Sequence, residues 1–143
     1  MRDILFRGKR TDCDAWVEGD LIQAFRGNQL SSCSIMPNTP TAYCWKVVPE
    51  AVGQYTGLTD KNGVKIFEGD ICRFKRFNDV HVGEIVFNVA TASFIMWYQP
   101  IVGAYGEKAT QKMLLSVCDD IEVIGNIHDN PELLGGENNG INR

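Results

Sequence analysis

An all-β fold is what this sequence predicts, and three observations lead there. Short apolar runs alternate with turn residues about every 8–12 positions. No long stretch carries an apolar repeat of about 3.6 residues. Glycine, asparagine and aspartate cluster at the breaks, most densely across Val52–Phe74, where Gly53, Gly57, Asp60, Asn62, Gly63, Gly69 and Asp70 punctuate the chain. The 143 residues, 44% of them hydrophobic, are enough for one domain or for two small lobes around a shared core.

Taken in order, the N-terminal residues predict a hairpin of Asp3–Gly8 with Ala15–Phe25, turned by the polar run Gly8-Lys-Arg-Thr-Asp12. A glycine inside Trp16-Val-Glu-Gly-Asp-Leu-Ile22 suggests a bulge. Arg26–Gln29 reads as a turn. Residues 31–41, rich in Ser, Thr and Pro, read as a loop with one extended piece at Ser34–Met36. Tyr43–Val48 favours a strand that Pro49 ends, since proline cannot donate to a ladder.

Gln54–Leu58 follows as a short extended segment, and Asp60-Lys-Asn-Gly63 as a tight turn built on Asn-Gly. Val64–Phe67 leads to a second turn at Glu68-Gly-Asp70. Further strands are expected at Ile71–Phe77, Val80–Phe87, Ala92–Tyr98, Gln111–Val117 and Ile121–Ile127, with Pro100–Gly106 as a loop. Asn130-Pro-Glu-Leu-Leu134 opens a short helical turn, with Asn130 as its cap and Pro131 in its first position. Five strands between Val64 and Ile127 suit a small SH3-like barrel. The expected organisation is an N-terminal β lobe over 1–51, the SH3-like barrel over 52–134 and a polar tail over 135–143.

The net charge of −4 disfavours non-specific binding to nucleic acid or to anionic membranes. Five cysteines (Cys13, Cys33, Cys44, Cys72 and Cys118) give an odd count with no CxxC pair. Reduced thiols and a cytoplasmic location are the expectation. The start, MRDILFRGKR, matches neither a signal peptide nor a membrane span.

Candidate chemistry is thin. Asp20, Glu68, Asp70, Glu84, Asp119 and Asp120 are the carboxylates available for acid/base work, with turn formation the simpler account of Asp20 and Asp70. His81 and His128 have no Cys or His at ligand spacing. The Asp60-Lys-Asn-Gly63 run departs from a calcium loop, which needs its glycine at the sixth position. No phosphate loop or nucleophile elbow is present. No catalytic residue, metal or cofactor is expected. Gly53, Gly57, Asn62, Gly63, Gly69 and Asp70 are read as structural turn residues.

One segment joins basic and aromatic side chains. Arg73, Lys75, Arg76 and Phe77 are the candidate nucleic-acid-binding residues, because such a mixture tracks a phosphate backbone and stacks bases. Arg2, Arg7, Lys9 and Arg10 add positive charge. Strand parity puts Arg73, Lys75 and Phe77 on one face and Phe74 with Arg76 on the other. Against this stand six acidic residues and no Lys or Arg across Asp119–Glu137. Trp45, Trp97, Tyr98 and Tyr105 divide between core and interface. Glu-Gly-Asp occurs twice, at 18–20 and 68–70, either by chance or as one repeated backbone device.

Several motifs carry a resemblance. Ile4-Leu-Phe-Arg-Gly-Lys-Arg10, Trp16-Val-Glu-Gly-Asp20, Val47–Gly57, Asp60-Lys-Asn-Gly63, Ile66-Phe-Glu-Gly-Asp70 and Ile121–Leu134 together resemble the YopX family of phage and prophage proteins. The resemblance implies a bacterial mobile-element origin, a β-rich structure with an SH3-like barrel, and self-association. It supplies no catalytic residues. The functional expectation is a non-enzymatic interaction module with protein partners, itself included, and no membrane. The alternatives are a nucleic-acid-associated phage accessory protein using Arg73–Phe77, and a small hydrolase grouping Asp20, Asp70 and His128.

Overall fold

The computed structural model describes residues 1–39, 43–98 and 111–134. The chain is all-β, with two antiparallel sheets and short 3-10 turns. It divides into two compact units, Met1–Gly57 and Leu58–Arg143. The expected 100–106 loop, the 135–143 tail and the end of the 31–41 loop lie outside the described residues.

In the first unit β1 (Phe6–Lys9), β2 (Trp16–Arg26), β3 (Gln29–Met36), β4 (Trp45–Lys46) and β5 (Gly53–Thr59) assemble in the order β4-β3-β2-β1-β5. The β1–β2 register runs from Phe6 opposite Gly19 to Lys9 opposite Trp16. Alternation turns Cys33 and Ile35 inward with Val47, and Phe6, Val17, Leu21, Leu30 and Val52 close around them. Pro49–Ala51 forms a 3-10 turn with its proline in the first position.

In the second unit β6 (Lys65–Phe67) follows β5 around a tight turn. A five-stranded sheet follows in the order β10-β9-β8-β7-β11. Its strands are β7 (Asp70–Arg76), β8 (Asp79–Asn88), β9 (Ser93–Tyr98), β10 (Gln111–Leu114) and β11 (Asp119–Asn126). Four strands meander, a 3-10 turn at Leu115–Val117 reverses the chain, and β11 returns beside β7. In this order β10 and β11 are the sheet's two edges, so the ladder is open rather than closed into a barrel.

One face of this sheet packs Cys72, Phe74, Ile85, Met96 and Tyr98 with Ile66, Leu115 and Cys118. Phe74 meets Tyr98 edge-to-face at 5.0 Å and lies 5.6 Å from His81. The opposite face is also covered in places: Ile71, Glu84, Ile95 and Trp97 are all buried. Gly125 lets the 3-10 turn Pro131–Leu134 close over β11, since a Cβ there would lie 2.8 Å from Leu133 Cδ1.

Several expected boundaries move, each for a physical reason. The loop expected at 31–41 is largely β3, which begins at Gln29; Gln29, Ser31 and Ser32 face water, so no apolar alternation announced a strand. The strand expected at Gln111–Val117 stops at Leu114, where the 3-10 turn begins. Asp119 and Asp120 belong to β11, with Asp119 opposite Lys75. Asn130 directly precedes the last 3-10 turn; its carbonyl accepts from the Leu133 N–H, while its side-chain Oδ1 accepts backwards from the Asn126 N–H.

The two Glu-Gly-Asp triplets are different devices. Gly69 sits in the β6–β7 turn at φ +91°, a conformation that disfavours a side chain. Gly19 lies within β2, where a Cβ would fall 2.0 Å from the Met36 carbonyl oxygen. Gly19→Ala is therefore expected to lower the urea midpoint even though its backbone is ordinary β, because the clash is with main chain. Phe74→Ala should cost about 3–5 kcal/mol in the same titration, the range for emptying a buried aromatic site.

Candidate functional site

Strand β7 carries the basic segment, and its parity decides what that segment presents. Phe74 points into the core, so Arg73 and Lys75 point to solvent. Both are answered within the same sheet. Arg73 lies 3.4 Å from Glu122 Oε2, which also takes Lys61 at 3.4 Å, and Lys75 lies 3.5 Å from Asp120 Oδ2. These pairs are exposed and add little stability. Their larger effect is to cancel the field of a basic stripe.

Arg76 turns to the other face and is half-buried. Its Nη1 donates to the Val117 carbonyl at 3.3 Å, and its guanidinium stacks 4.0 Å above the Phe77 ring. Phe77 has left the strand. Phe77 and Asn78 form the two-residue β7–β8 turn, with φ +50° and +69°. An aromatic residue in the left-handed region is strained, and Phe77 is nonetheless 78% exposed. The four candidate residues thus divide among an outer face (Arg73, Lys75), an inner face (Arg76) and a hairpin tip (Phe77).

Three other basic side chains named from the sequence, Arg7, Lys9 and Arg10, have partners too. Arg10 makes a two-pronged pair with Asp12, at 2.8 and 2.6 Å, and stacks 3.7 Å over Trp45. That pairing holds the Asp12 carboxyl below its usual range and raises Arg10. Arg7 and Lys9 lie 5.0 and 6.0 Å over the Trp16 ring. Trp45 is thus half-buried beneath a cation, while Trp97 and Tyr98 are core residues. Tyr105 lies outside the described residues.

The turn residues converge on a centre that the sequence did not single out, the Asp60 carboxylate. Asp60 Oδ1 accepts from the N–H groups of Asn62 at 2.8 Å and Val64 at 2.9 Å. Its Oδ2 accepts from Val123 N–H at 2.9 Å, and Lys61 N–H donates to the Ile121 carbonyl at 2.9 Å. The turn is thereby tied to β11 at its irregular stretch, where the register shifts between Asp119 and Glu122 and again between Val123 and Gly125. Burial alone would raise the Asp60 carboxyl. The donors from Val123, Val64 and Asn62, with the charge of Lys61, outweigh it and hold the carboxyl below its ordinary value.

Gly57 at φ +88° and Gly63 at +82° take left-handed conformations, and Asn62 lies in the turn. Gly53, expected in a turn, instead opens β5 opposite Arg7. Asp70 is buried, and its Oδ2 accepts from Phe67 N–H at 2.7 Å, which closes the turn around Gly69.

The remaining reactive groups divide between core and surface, with Cys13 and Cys44 exposed. His81 stacks 4.9 Å from Tyr98, and His128 is exposed, its N–H donating to Asn126 Oδ1. Burial pushes the Cys118 thiol up to about 11 and also raises Cys33, away from the reactive thiolate. Among the described residues no group of three or more His, Cys, Asp and Glu side chains could hold a metal ion. No helix among them is long and apolar enough to cross a membrane.

These features can be set against known proteins. A family model described as YopX protein matches residues 5–135. The chain belongs to the YopX family. A crystal structure of protein EF1440 from Enterococcus faecalis is similar to it at 27% identity, covering 94% of this chain and 99% of that one, with a TM-score of 0.54. No curated protein matches. Neither the YopX match nor the structural neighbour brings a sign of enzymatic activity.

The Asp60 node makes a signed pH prediction. A carboxyl held low in the folded state contributes stability that is fully present above its unfolded value, about 3.9, and is lost as pH falls through the folded value. Asp60→Asn sets an amide against at least one backbone donor and is expected to cost about 1–3 kcal/mol at pH 7. The gap between wild type and variant in chemical denaturation should be constant above about pH 5 and shrink below pH 4. A pH-independent gap would show that the charge contributes nothing.

Proposed function

We propose that this YopX-family protein is a non-enzymatic interaction module of phage or prophage origin. It works in the bacterial cytoplasm and binds other proteins, a second copy of itself included. The observation that supports this is the chemistry of the hairpin tips. Turn tips are ordinarily polar. Here the β2–β3 tip carries Phe25, 57% exposed, the β7–β8 tip Phe77, and the β8–β9 tip Val89, 84% exposed. Apolar side chains held at rigid strand ends are suited to fill pockets on a partner. For the second unit we adopt the SH3-like reading: a four-strand meander, a 3-10 turn and a fifth strand beside the first follow that barrel's strand order.

Two competing readings have less behind them. Nucleic-acid binding through β7 would need its cations on one free face, whereas Arg73 and Lys75 face carboxylates and Arg76 faces inward. A carboxylate hydrolase would need Asp70 available, whereas it is buried and bonded to the Phe67 N–H.

The strain at Phe77 allows a pointed test. Phe77→Gly should stabilise the isolated protein by about 1 kcal/mol by relieving the left-handed backbone. The same change should weaken partner capture from induced lysogen extracts treated with nuclease. Capture that vanishes with nuclease for the wild type would favour nucleic acid instead. A partner set unchanged by both Phe77→Gly and Phe25→Ser would remove the tips from the account.

A further inference from the structure

The β2–β3 hairpin outgrows its sheet. β1 pairs with β2 only from Trp16 to Gly19, and β4 pairs with β3 only at Ser34 and Ile35. Beyond those limits the two strands continue as an arm, with Gln23 opposite Cys33, Ala24 opposite Ser32 and Arg26 opposite Gln29. Residues 22–29 are all exposed. A two-stranded ribbon surrounded by water is marginal alone, and a free strand edge is a template for another strand.

On the β3 side the edge is partly taken, since the Cys33 carbonyl accepts from Val47 N–H at 3.1 Å. No described strand pairs the β1-side edge of β2 beyond Gly19. That edge, Asp20–Arg26, holds no lysine or proline to block pairing. The ladder irregularity at Ala24 and Phe25 places the unmatched residue, Ser31, on β3, where its Oγ donates to the Ala24 carbonyl; β2 itself runs through.

The segment also reads the same in both directions. Asp20-Leu-Ile-Gln-Ala-Phe-Arg26 is charge, two apolar residues, Gln23, two apolar residues, and the opposite charge. We propose that this edge pairs antiparallel with the same edge of a second copy, across a two-fold axis at Gln23. This rests on the interaction-module reading and names its self-contact.

The register sets Asp20 of one copy opposite Arg26 of the other, twice. Ile22 meets Ala24, Leu21 meets Phe25, and Gln23 meets its own copy. Paired residues in an antiparallel ladder share a face, so all these contacts are side by side. Opposite charges at both ends fix the register, and a two-fold axis makes every contact occur twice. A heterologous strand would have to bring the same two charges in the same order.

Light scattering during size-exclusion chromatography over a range of concentrations tests this. The wild type should show a concentration-dependent dimer. Asp20→Arg and Arg26→Asp should each weaken it about tenfold or more by setting like charges opposite each other. The double variant should recover the wild-type dimer, which a merely structural effect would not produce. Both positions are exposed, and circular dichroism with urea midpoints confirms the fold.

A dimer unaffected by either single reversal would overturn this edge while leaving self-association standing. A double variant as weak as the singles would overturn the register. A wild-type monomer at every concentration would overturn the pairing altogether, with nuclease-resistant capture of other proteins then deciding the broader reading on its own.

Discussion

A single carboxylate holds the second unit's entrance together. Asp60 accepts three backbone N–H groups, two from its own turn and one from a strand near the other end of the chain. Each bond is ordinary. Their shared acceptor is what matters, because the tight turn and the irregular start of β11 satisfy their main-chain donors through the same side chain. An interruption in a ladder leaves backbone groups without partners, and burying them unmet is costly. Asp60 and Lys61 fill that gap at Val123 and Ile121. The Gly69 turn has a parallel arrangement, with Asp70 taking Phe67 N–H and the Gly69 main chain bonding to both Ile85 and Ile127.

Local chemistry was legible from residues; long-range chemistry was not. Asn62-Gly63 announced its turn, and alternation separated Phe74 from Arg73 and Lys75, though it kept Phe77 in a strand that has already turned. The family was legible too, from motifs spread over the chain. Alternation failed where the environment did not alternate. The β3 end is wet on both faces, so it resembled a loop. The sheet around Glu84 is dry on both faces at Ile71, Ile95 and Trp97, so a carboxylate there resembled a surface residue. The paired Glu-Gly-Asp triplets show a further limit, since Gly69 serves backbone conformation and Gly19 serves close approach. Asp60 looked like a turn residue because two of the three N–H groups it accepts are in its own turn, and the third lies 63 positions away.

The basic segment shows why composition alone misjudges a surface. Read linearly, Arg73–Phe77 is a cationic aromatic stripe. Folded, it is bordered by the acidic strand β11, and the two neutralise one another across the ladder. The acidic run at Asp119–Glu122 and the basic run at Arg73–Lys75 are two halves of one exposed patch of mixed charge.

The return of β11 beside β7 also bears on how the chain acquires its structure. Arg73 and Glu122 are 49 positions apart, and Asp60 waits for Val123. Contacts so distant along the chain carry a loop-closure entropy that must be met before they reward it, which slows folding. During synthesis β1 to β4 have their strand partners available once β5 has left the ribosome. The second unit must hold β7 with one edge vacant until the last strand emerges. In that interval the β7 ladder edge at Cys72 and Arg73 is open to mispairing. The charges of Arg73, Lys75 and Arg76 then act as gatekeepers against aggregation.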